Sequence, residues 1–155
     1  MKNVVKEPLL TYLRSGKSSA IRQEPLDENI FKDKLLMRSI VREGIPYSLF
    51  DRICSASSLN TQLWAKLMGI SHKTIQRYEQ DQKTFRPSYS EKILQLAEVF
   101  ATGQDVFENR EKFHHWLETP SFALGSQKPM DLLKDSFGRE LVIRELNNIE
   151  YGIFA

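Results

Sequence analysis

Apolar residues recur at three- and four-residue intervals along most of this chain, and no stretch keeps the two-residue alternation of a half-buried strand. The spacing predicts helices throughout. A helix over about 28–43, capped by Asp27 and stopped by Gly44, turns Phe31, Leu35, Leu36, Ile40 and Val41 toward a core. Pro46 opens a short helix carrying Leu49, Phe50 and Ile53. Two helices fall within 60–80. A long one runs over about 90–117 on Ile93, Leu96, Ala97, Phe100 and Phe107, and Pro120 closes that region. A loop at 121–128 leads through 129–137 to a last helix over about 139–149. Residues 1–25, with Lys, Ser, Gly and Pro, read as a mobile arm holding a short turn of helix at 9–13.

The pattern is unusual after residue 149. Tyr151, Ile153 and Phe154 crowd the end of the chain, where segments are ordinarily solvated. Each large apolar side chain left in water forgoes roughly 1.5–3 kcal/mol of burial. Such a tail is expected to dock, either on its own core, with Trp116 or Phe137 as the seat, or on another molecule. Gly152 lets it turn away from the preceding helix.

Composition narrows the class. The 155 residues suit one domain or two small helical ones, and 41% apolar content supplies a core. No run approaches the roughly 18 apolar residues of a membrane span, and the N-terminal residues lack the apolar core of a signal peptide. The single cysteine, Cys54, cannot form an internal disulfide, so a cytoplasmic protein is expected. Net charge is +2 but unevenly spread. Residues 1–95 hold 16 basic and 10 acidic side chains, and residues 96–155 hold 6 and 10, which suggests two different partners or two ordinary solvated faces.

Residues 61–80 have the spacing of a helix-turn-helix. Ala65 is small where two helices would cross, Gly69 suits the turn, Ile70 plugs the junction and Ser71 can cap the second helix. Met68, Ile75 and Tyr78 face inward. His72, Lys73, Gln76, Arg77 and Gln80 are left outside, and with Ser71 they suit base edges and phosphates; Lys83 and Arg86 can grip flanking phosphate. Any one position would fit an ordinary helical hairpin, but together they favour DNA. Glu79 and Asp81 weaken the basic surface, so a homodimer is expected on the operator.

Catalytic readings find little. His114 and His115 are adjacent on a helix and point apart, and with His72 they make no metal set. No serine lies in a nucleophile elbow, and the Ser15-Gly16-Lys17-Ser18 run lacks the earlier glycine of a phosphate loop. No cofactor and no enzymatic activity are expected. Trp64 and Trp116 read as core or interface anchors.

The second half adds a string of short motifs: Trp116-Leu117, Pro120, Ala123-Leu124-Gly125, Lys128-Pro129-Met130-Asp131-Leu132-Leu133, Phe137-Gly138, Val142 and Leu146-Asn147-Asn148-Ile149-Glu150-Tyr151-Gly152. Together with the helix-turn-helix, this resembles the Xre/MbcA/ParS-like antitoxins over about residues 30–155. The resemblance implies an all-α fold, with a helix-turn-helix domain at 26–95 and a small toxin-binding domain at 96–155. It implies a type II antitoxin whose cognate toxin is a RES-domain, NAD-consuming protein, obstructed by the antitoxin's C-terminus, and which binds its own promoter. Arg144, Asn148, Glu150, Tyr151, Gly152, Ile153, Phe154 and Ala155 are then the expected toxin contacts. The chain departs from the family pattern at Ser126, Tyr78 and Ser90-Glu91-Lys92, which bears on operator geometry more than on domain identity. Two other classes remain open: a transcriptional regulator whose C-terminal helices only dimerise, and an interaction module with a degenerate helix-turn-helix.

Overall fold

Trp64 is the side chain around which the first two thirds of the protein folds. In the computed structural model, which describes residues 3–18 and 29–152, its indole is fully buried. Phe50 and Phe100 pack edge-on against it, each at 5.5 Å between ring centroids. Phe50 also meets Phe85 at 5.1 Å. Such edge-to-face pairs add about 0.5–1.5 kcal/mol each beyond the area they bury. The indole N–H donates to Ser57 Oγ at 2.9 Å, and the Ser57 hydroxyl donates to the Cys54 carbonyl at 2.6 Å. The polar edge of the ring is therefore satisfied inside the core.

The regular elements among the described residues are all helical. They are α1 (Lys6–Arg14), α2 (Lys34–Glu43), α3 (Tyr47–Ser57), α4 (Thr61–Met68), α5 (His72–Asp81), α6 (Pro87–Phe107), α7 (Arg110–Leu117), α8 (Pro129–Leu132) and α9 (Ser136–Glu150), with 3-10 turns at Ile30–Lys32 and Phe122–Leu124. Two isolated bridges, Pro46 to Thr84 and Ser121 to Gln127, are the extended pairings found among them. The all-α expectation holds, with a helix-turn-helix unit followed by a second helical unit. Among the described residues, no helix is long and apolar enough to cross a membrane.

Helix α6 is the spine. Pro87 pre-sets its first turn, and it runs 21 residues. It packs against α1, α2, α3 and α4 and, most extensively, against α9. The boundary drawn from sequence between residues 95 and 96 falls inside this one helix.

Five local expectations need correction. The reading of residues 1–25 as an arm fails for residues 3–18. There α1 buries Val5, Leu9, Tyr12 and Leu13, and the Asn3 amide donates to the Ala101 carbonyl at 2.7 Å. The helix expected from 28 begins at Lys34, and its cap is Asp33, whose carboxylate accepts the Leu36 N–H at 3.0 Å; Asp27 lies outside the described residues. Leu35 was expected in the core but is 79% exposed, because the buried stripe of α2 runs through Leu36 and Ile40. The helix expected over 90–117 is two helices. Glu108 takes a left-handed conformation (φ 52°) and Asn109 caps α7. The chain doubles back there so that the Phe113 ring lies directly over Gly103, where a β-carbon would find no room. The last helix also starts earlier than expected, at Ser136, because Asp135 accepts the Gly138 N–H at 2.7 Å.

Candidate functional site

The helix-turn-helix is built as its local sequence requires. Ala65, nearly fully buried, lies on the inner face of α4. Gly69 ends that helix at φ 69°, a conformation cheap for glycine, and the Gly69 and Ile70 N–H groups close the last turn on the Ala65 and Lys66 carbonyls. Ser71 Oγ accepts the Thr74 N–H at 3.1 Å and starts α5. Ile75 is buried, and Tyr78 stacks on Phe85 at 4.3 Å.

Two anchors in this unit were not apparent in the sequence. The Lys92 ammonium donates to the Met68 carbonyl at 2.9 Å, holding the C-terminal end of α4 from across the core. The fully buried Ser90 hydroxyl donates to the Phe85 carbonyl at 3.0 Å and accepts the Ile45 N–H at 2.9 Å. Ser90 and Lys92 thus fix the turn and the segment after α5. Their roles depend on partners 45 and 24 residues away, which no local pattern signals.

The outer side of α5 presents Lys73, Gln76, Arg77 and Gln80, all exposed. Ser71 is exposed but its hydroxyl is engaged in the cap. His72 is only half-exposed, and its Nε2 shares a hydrogen bond with Thr61 Oγ1 at 2.9 Å, so it braces α5 against α4 as well as facing outward. Beside this face lies an open groove of about 370 Å³ lined by Thr74, Arg77, Lys83 and Arg86, with Tyr78 and Tyr89 as its apolar part and Asp81 at its edge. Arg86 sits 4.0 Å above the Tyr89 ring and donates to its hydroxyl at 2.6 Å. Lys83 approaches Asp81 at 3.6 Å, an exposed pair of small energetic weight. The structure therefore gathers the eight expected polar residues along α5 and the strand-like segment that follows it.

The C-terminal residues gather along α9. Arg144 is exposed and Asn148 half-buried, and Glu150 and Tyr151 lie at its exposed end. Tyr151 is 69% exposed, and Gly152 has φ 67° with open space around it. Of the two internal seats, Trp116 packs against Phe107 and Phe113, and Phe137 is 78% exposed. Ile153, Phe154 and Ala155 lie outside the described residues. A residue missed by sequence reading is Arg139, which is buried where α9 crosses α6. Its Nε donates to Gln95 Oε1 at 2.8 Å and its Nη1 to the Leu133 carbonyl at 3.0 Å. Burial pulls its pKa below the usual arginine value, with Asp135 and Glu91 opposing. Cys54 is an inert thiol: burial, and secondarily Asp51, pushes it up to about 12.

A helix-turn-helix joined by one continuous helix to a second, partner-ready helical unit defines a regulatory binding protein. The family comparisons agree with that class at both ends. Residues 37–98 match the antitoxin Xre-like helix-turn-helix domain, and residues 102–152 match the antitoxin Xre/MbcA/ParS C-terminal toxin-binding domain. The chain belongs to the Xre/MbcA/ParS antitoxins of toxin–antitoxin systems. A Prs ADP-ribosylating antitoxin from a Sphingobium species is 25% identical over 125 residues, covering 75% of this chain and 79% of that one. An antitoxin Xre from Photorhabdus laumondii is 25% identical over 120 residues, covering 77% and 81%. A toxin partner follows from the toxin-binding domain.

Proposed function

We infer that this antitoxin neutralises a RES-domain, NAD-consuming toxin by laying residues 150–155 over its active site, and that it represses its own promoter as a homodimer in the cytoplasm. The observation that carries the inhibitory part is the way α9 ends. Tyr151 leaves the helix into solvent, and Gly152 takes a left-handed conformation with open space beside its α-carbon. A pocket that holds the pyrophosphate of NAD needs cations, which suit Glu150, and apolar walls beside them suit Tyr151 and the residues that follow. The name of the Sphingobium relative points the same way, because ADP-ribosylation draws on NAD.

On the DNA side, α5 enters the major groove. Arg77, Lys73, Gln76 and Gln80 meet base edges, Ser71 and His72 the groove margin, and Lys83 and Arg86 the flanking phosphates. One such helix reads few bases, so two copies spaced about one DNA turn apart are required for a specific operator. Deleting residues 151–155 tests the inhibitory reading. The truncated protein is expected to stay folded and bind operator DNA while no longer restoring growth to cells expressing the toxin. Full neutralisation by the truncated chain would sink the occlusion mechanism.

A further inference from the structure

One side of α9 carries large exposed side chains at both of its ends. Residues 137, 141, 144, 148 and 151 follow intervals of four, three, four and three, which keep side chains on one side of an α-helix. The opposite side, Val142 and Leu146, is fully buried against the core. The side away from the core reads Phe137, Leu141, Arg144, Asn148, Tyr151, with Phe137, Arg144 and Tyr151 exposed, Leu141 and Asn148 half-buried, and the exposed Glu140 beside them. Its two ends are aromatic, 78% and 69% exposed, and stand about 21 Å apart along the axis. A third exposed aromatic, Phe122 at 88%, rises from the 3-10 turn that packs on α9. That turn is fixed, not floppy: the Ser121 N–H donates to the Gln127 carbonyl at 3.0 Å, the Ser126 N–H to the Ser121 carbonyl at 2.8 Å, and Leu124 beneath is buried.

Large aromatics held in water on rigid elements are a costly use of apolar surface unless a partner covers them. All of these residues lie inside the stretch matched by the toxin-binding domain, and the line runs continuously into the tail assigned above to the toxin. We propose that Phe137 and Phe122 form a second toxin-docking anchor at the far end of α9, so that the antitoxin holds the toxin along the whole outer line of this helix and not by its tail alone. The anchor supplies grip; the tail supplies inhibition. The proposal rests on a toxin partner for this domain, and does not require that the tail occlude a catalytic pocket.

The test uses the full chain co-expressed with its toxin partner, and compares wild type with Phe137→Ser, Phe122→Ser and the double variant. Dissociation of the complex is followed by interferometry on immobilised toxin. Each single variant is expected to dissociate about tenfold faster and the double variant more than that, with thermal stability and operator affinity unchanged. Phe137→Tyr, which keeps the ring, is expected to stay near wild type. Wild-type dissociation in the double variant overturns the proposal. So does unchanged toxin release together with lost self-association in light scattering, which would assign this face to a second copy of the chain. The tail reading fails on a different readout, retained inhibition after removal of residues 151–155, so the two outcomes are separable.

Discussion

Along the outside of α5 stand Lys73, Gln76, Arg77 and Gln80; along the outside of α9 stand Phe137, Arg144 and Tyr151. Both helices bury their other side against the same molecule, yet their exposed sides follow opposite chemistry. A face that takes a phosphate polymer, as proposed for α5, needs donors and cations, because its partner brings the negative charge and the polar base edges. A face meant for a folded protein needs aromatic area that its partner can take out of water.

The largest effect is expected where the two faces share support. Trp64→Ala removes the ring between Phe50 and Phe100 and leaves the Ser57 hydroxyl without its donor, at a cost of about 3–5 kcal/mol in urea unfolding. Because Phe100 lies on α6, DNA binding and toxin binding should fall together. A variant that loses one and keeps the other would show that the faces are independently supported.

Gly138→Ala should separate them. A β-carbon at Gly138 would run into the Leu132 carbonyl oxygen, which is backbone and cannot swing aside. Forcing α8 and α9 apart is expected to cost at least about 1–3 kcal/mol in calorimetry and to weaken toxin capture while operator binding persists. Arg77→Ala makes the converse cut. Operator affinity by fluorescence anisotropy should fall by about 1–3 kcal/mol if this side chain reads a guanine, with toxin capture and stability unchanged. Unaltered operator affinity would show that α5 docks by another side.

The smallest effect concerns pH. Burial raises the Glu98 carboxyl on α6 above its ordinary value, with Lys34 opposing. A carboxyl whose folded pKa is raised binds its proton more tightly in the native state, so this group favours folding more at acid pH. That advantage is lost as pH rises through its unfolded and then its raised folded value. Glu98→Gln should therefore flatten the pH dependence of urea stability from about pH 4 upward and leave both faces working. An unchanged slope would place the carboxyl in a better-solvated setting.

The helix-turn-helix was legible because its constraints are local. Ala65, Gly69, Ser71 and Ile75 each answer to a neighbour within a few residues, and each sits where the spacing put it. Leu35 went astray because adjacent helical positions were both assigned to the core, and only one could be. The helix break at Glu108 depends on Phe113 closing over Gly103, a tertiary contact that apolar spacing alone does not encode. Arg139 was invisible for a related reason: its partner Gln95 lies 44 residues away, and nothing near it in sequence announces a buried cation. In α9 the motif string identified the domain, while the exposure of Phe137 emerged only once Val142 and Leu146 had claimed the inner side.

Helix α6 has a mechanical meaning. At 21 residues it is about 31 Å long and unbroken, and it contacts α9 over much of its length as well as the scaffold of the helix-turn-helix. A hinge between the two units would require bending this beam and shearing Arg139 from Gln95. The two binding faces are thus fixed in angle and offset, like marks on one rule. If α9 holds the toxin and α5 the operator, as proposed, the toxin is carried at a set height and bearing relative to the DNA axis. Whether neighbouring complexes can lie side by side on an operator then becomes a question of clearance, decided by the length of a single helix.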